Sequence, residues 1–178
     1  MRFAAVLLFL ALAGCTDMPR FVYGTASSSD IVRGYLQGAG AAGPVLIEVR
    51  GRDAAFAPAI AAAASGGVMG ANVRFTADRA QAPQPDYRVA FQFDPAPTAT
   101  DAAVCAGTAA SAPPAAGQTR YKAVFCHKDR HFAAVEVWGP GLTGAADPGL
   151  APLVRQTMLE LFPLRDPNSP DGEILLVD

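Results

Sequence analysis

Long apolar runs are missing from this chain. No stretch reaches the ~18 consecutive apolar residues needed for a helix that crosses a bilayer. Charge is scarce as well: 17% of residues are charged, with 14 Lys+Arg against 16 Asp+Glu. A slightly acidic chain offers no basic stripe for phosphates, so no nucleic-acid partner is expected. There are only two histidines, three cysteines and one tryptophan. The cysteines do not form a C-x-x-C pair, which argues against redox or zinc chemistry. Catalytic signatures are lacking too. No G-x-S-x-G elbow and no Walker loop occur, and a dinucleotide fingerprint is not read at Gly38-Ala39-Gly40. Asp94 and Asp101 fall in an expected flexible loop, a poor frame for paired carboxylates. No catalytic residue, metal or cofactor is assigned.

What is present suits one folded unit. A length of 178 residues supports a single domain with a real core. Hydrophobic residues make up 51%, but roughly a fifth of the chain is alanine, which buries little area. Seventeen glycines and fifteen prolines predict long loops rather than disorder.

The N-terminus is the most informative segment. Arg2 supplies one charge, residues 3–11 are apolar, and Leu12-Ala13-Gly14-Cys15 follows. The apolar stretch is too short to span a bilayer and has the layout of a secretion signal. Leu12-Ala13-Gly14-Cys15 resembles the lipobox of bacterial lipoproteins. That resemblance implies removal of residues 1–14, a diacylglyceryl thioether on Cys15 and N-acylation of its new amine. Small residues at Ala13 and Gly14 fit a protease site, and only a thiol forms the thioether. Two or three acyl chains anchor stably where one is marginal. Thr16 at the second mature position, where retained lipoproteins carry aspartate, implies the outer membrane rather than the inner. Processing would leave 13 basic and 16 acidic residues, since it takes away one arginine and no acid.

If Cys15 carries lipid, Cys105 and Cys126 remain, and an exported protein with two leftover cysteines suggests one disulfide. It would close a loop of about 20 residues, worth roughly 3 kcal/mol by chain entropy.

Periodicity outlines the body. Residues 15–43 read as a lipid-anchored tether, with a short, glycine-weakened helix after Ser27-Ser28-Ser29. Val45, Ile47 and Val49 alternate with Leu46, Glu48 and Arg50, predicting a strand. Asp53 caps a predicted helix over 54–65, and 72–76 is a possible strand. Tyr87, Val89, Phe91 and Phe93 predict a strand. Residues 94–118 read as an Ala/Pro/Thr-rich loop. Two strands are predicted over 121–126 and 132–138, then a helix opened by Asp147-Pro148 and carrying an apolar stripe. Residues 174–177 could add a last strand. The expected fold over 44–178 is α+β, a mostly antiparallel sheet with two helices on one face, in the order β-α-β-β-β-β-α. This layout is similar to that of small envelope lipoproteins and accessory subunits.

Two side-chain groups merit attention. His127, Asp129 and His131 surround a predicted hairpin turn and could cluster for catalysis or metal binding. Trp138, before Gly139-Pro140-Gly141, is a candidate aromatic anchor for a partner. The sequence therefore predicts a lipid-anchored, non-catalytic envelope module with the membrane and an envelope protein as partners. The alternative is an envelope enzyme using His127, Asp129 and His131.

Overall fold

The computed structural model describes residues 18–24 and 27–164. Cys15 and the expected strand at 174–177 lie outside the described residues. The strands are β1 (Arg20–Tyr23), β2 (Val45–Arg50), β3 (Phe75–Thr76), β4 (Tyr87–Phe93), β5 (Gln118–His127) and β6 (Arg130–Pro140). The α-helices are α1 (Ser29–Ala42), α2 (Phe56–Ala64), α3 (Asp101–Ala106) and α4 (Leu150–Leu161). One six-stranded sheet runs β1-β6-β5-β4-β2-β3.

The fold is α+β, and the sheet is mostly antiparallel but mixed. The pairs β1/β6, β6/β5 and β5/β4 are antiparallel, whereas β2 pairs in parallel with both β4 and β3. The expected helix count and element order therefore need correcting: there are four α-helices among the described residues, on both faces. Parallel pairing follows from the crossover through α2, which returns the chain to the end of the sheet where β2 began. A strand covered on both faces buries consecutive residues rather than alternate ones. Val45, Leu46 and Ile47 are all buried, as is every residue of β4 from Arg88 to Phe93.

The main core lies on one face. Val89, Phe91, Tyr121, Phe125 and Val135 point at α1, α2 and α4, which contribute Leu36, Ile60, Val154 and Met158. The opposite face carries a smaller cluster in which Val104 and Cys105 of α3 pack on Ala90, Val124 and Ala134.

Residues 20–42, expected within a tether, supply β1 and α1. Three glycines inside α1 cost about 1 kcal/mol each. Burial of Val32 and Leu36, at about 1.5–3 kcal/mol apiece, offsets that cost and docks the helix. Gly40 is also a point of close approach, because a Cβ there would lie 2.9 Å from Val73 Cγ2. The loop expected over 94–118 contains α3. Thr100 caps it, its Oγ1 accepting from the Ala103 amide, and left-handed Gly107 (φ 75°) closes it.

Asp147 opens α4 from just before the helix. Its carboxylate accepts from the amides of Thr143 (3.0 Å) and Gly149 (2.8 Å) and from the Thr143 hydroxyl (2.9 Å). The backbone donor on Thr143, then those on Gly149 and the Thr143 hydroxyl, hold this carboxyl below the ordinary aspartate value of 3.8. A carboxylate with a depressed folded-state pKa contributes stability above its unfolded pKa and loses it as pH falls. The gap in thermal midpoint between the native chain and Asp147→Ala should thus be present at neutral pH and close as pH drops below about 4. A gap unchanged down to pH 2 would refute the role of this carboxylate's charge.

Candidate functional site

The two cysteines expected to pair do so. Cys105 and Cys126 form a disulfide with Cα atoms 5.6 Å apart, and both residues are fully buried. It bonds α3 to β5 on the minor face of the sheet. Around it, Glu48 accepts from three arginines: Arg50 at 2.8 Å, Arg88 at 3.0 Å and Arg79 at 3.4 Å. Arg50 and Arg88 also donate to the carbonyls of Val104 (2.8 Å) and Cys105 (2.5 Å), which close the C-terminal end of α3. Cations at that end oppose the negative pole of the helix dipole. Nearer β1, Lys122 pairs with Asp101 in the first turn of α3 (2.9 Å), and Arg120 pairs with Glu136 (2.5 Å). These groups hold a short helix on a sheet; their charges are spent on one another.

Trp138 is half-buried on β6. Its cross-strand neighbours are Arg20 and Arg120, whose guanidinium carbons lie 4.4 Å and 5.5 Å from its ring. Such cation–π contacts hold the ring between the edge strand β1 and β5.

The hairpin separates the two histidines. His127 pairs with Arg130 and Cys126 with His131, so strand alternation sends the imidazoles to opposite faces. A register shift beside Phe125 leaves Phe132 outside the ladder. His127 stacks on Tyr87 with ring centres 4.3 Å apart, continuing an aromatic row that includes Phe132 and Tyr35. No group of three or more His, Cys, Asp or Glu is placed to hold a metal among the described residues.

Gly38, Gly40 and Gly43 complete the G-x-G-x-x-G spacing that was not read at Gly38-Ala39-Gly40. A phosphate-binding fingerprint needs a strand before it and a helix N-terminus after it. This one lies at the C-terminal end of α1 and leads into β2, the negative rather than the positive pole.

An apolar concave surface lies elsewhere, between β1 and the start of α4. Met18, Phe21, Leu142, Pro152 and Leu153 line a groove of about 640 Å³, with Gln156 as the polar side chain among its lining residues. Beside it, the Tyr23 hydroxyl donates to Glu160 and ties β1 to α4, and the Gln156 amide donates to the same carboxylate from within α4. The hydrogen bond to Glu160, then burial, then the carboxylate's charge push Tyr23 up to about 12. Deeper in the core, burial raises Tyr121 well above the ordinary tyrosine value, opposed by its hydrogen bond with Thr157 (2.6 Å). Spacing rules could not find the groove, whose walls come from residues more than a hundred positions apart.

No protein-family model, curated protein or solved structure gives a significant match to this chain. The functional reading therefore rests on the residues and their geometry.

Proposed function

We propose that this chain is a bacterial envelope lipoprotein, anchored through Cys15 and presenting its folded body as an accessory or binding module. Leu12-Ala13-Gly14-Cys15 carries the reading. The Cys105–Cys126 disulfide supports it, because such bonds persist in oxidising compartments such as the periplasm. The fold would begin close to that anchor, since β1 starts at Arg20, five positions after Cys15. A body tied so closely lies beside the bilayer, with the outer membrane favoured by Thr16. The groove between β1 and α4 gives a module of this kind a binding surface. An envelope protein is the proposed macromolecular partner, and no nucleic acid is proposed.

Replacing the anchor residue tests the reading. In Cys15→Ala, fatty-acid labelling should vanish and the protein should leave the membrane fraction, while the Cys105–Cys126 bond stays intact. Labelled, membrane-bound Cys15→Ala would overturn the proposal.

A further inference from the structure

The groove between β1 and α4 sits where the chain emerges from its anchor. Met18, which forms part of the wall, is 88% exposed. A methionine held open to water beside Phe21, Leu142 and Pro152 is an apolar surface wanting a cover. About 640 Å³ matches sites that hold small organic ligands, roughly 300–1,000 Å³. The occupant is indicated by where the chain goes. Cys15 precedes Met18 by three residues, and at ~3.5 Å per residue it stays within about 11 Å of the wall. A long-chain acyl group is longer than that. Only Thr16 and Asp17 intervene, so an acyl chain on Cys15 is held at high effective concentration beside the groove. The lining offers such a chain apolar surface, with Gln156 as its polar side chain.

We infer that the groove houses one of the acyl chains borne by Cys15. This rests on the proposed lipidation and goes beyond it. The remaining chains stay in the bilayer, and the one in the groove fixes the body's orientation, with β1 and the start of α4 toward the membrane.

Photocrosslinking tests this in the full chain. Cells expressing it are fed a fatty acid carrying a diazirine, membranes are irradiated, and the purified protein is mapped by peptide mass. The expected result is acylated Cys15 with crosslinks to Leu142 or to 152–156. Gln156→Lys, at an exposed position where the new ammonium can pair with Glu160, should cut that yield by roughly tenfold with unchanged thermal melting. Acylated Cys15 whose crosslinks all reach phospholipid, or a second protein, would overturn the inference and leave lipidation standing. An unmodified Cys15 would overturn both.

Discussion

Removing the disulfide by the double substitution Cys105→Ala and Cys126→Ala should lower unfolding stability by about 3 kcal/mol. The bond closes a loop of 21 residues, and the chain-entropy relation gives that figure for a loop of this length. The loss should not be spread evenly. α3 has six residues, too few to hold together alone. Without the bond it keeps the Thr100 cap, the carbonyl contacts of Arg50 and Arg88, and the burial of Val104. Each hydrogen bond contributes about 1 kcal/mol net, rising towards 3 for those from charged groups. These contacts are enough to keep α3 docked for most of the time, but not enough to match the lost cross-link. Urea titration should therefore show the global loss, and limited proteolysis should show earlier cleavage within 94–117. Both sulfurs are buried, so the native protein should resist reductant until denaturant opens α3. Equal midpoints and equal protection in the double variant would refute this account.

How much of this was legible in the sequence depends on the element. β4, the β5–β6 hairpin and α4 show their periodicity because each presents one face or stripe to the main core. The cysteine pair was legible by elimination, given a lipid on Cys15. α3 was not, because its alanines look like the low-complexity residues around it. Thr100 and Gly107 were the available signal, a cap and a left-handed stop bracketing six helical residues. α1 was underrated because glycine propensity is local and the burial of Leu36 is not. Parallel pairing of β2 with β4 was hidden for the same reason, since pairing partners are chosen by the crossover and not by either strand. Strand alternation puts Arg50 on the face of Glu48, but the groove and the pairing of Glu48 with Arg79 and Arg88 are products of topology that no spacing rule reaches.

Arg33 shows that limit most sharply, and its replacement should be among the most damaging single changes. Sequence reading placed it in a tether, where an arginine would be solvated. In the fold it is buried on α1, 8% exposed, and donates to Phe162 O at 3.0 Å and Met69 O at 2.7 Å. Phe162 is the residue on which α4 ends, so the guanidinium also faces the negative pole of that helix. Arg33→Met keeps the apolar stem and deletes both donors. Two carbonyls then lose a charged partner at about 1–3 kcal/mol each, with some recovery through relaxation and water. The expected loss is about 3 kcal/mol by urea titration. Arg33→Lys separates charge from geometry. An ammonium restores the cation but lacks the planar fork that meets two acceptors at once, so it should recover no more than about half of the loss. If Arg33→Met unfolds with the native midpoint, α1 is held by Val32, Leu36 and Ala39 alone, and the guanidinium is a passenger. If Arg33→Lys matches the native chain, the charge at the end of α4 matters and the bridge to Met69 does not.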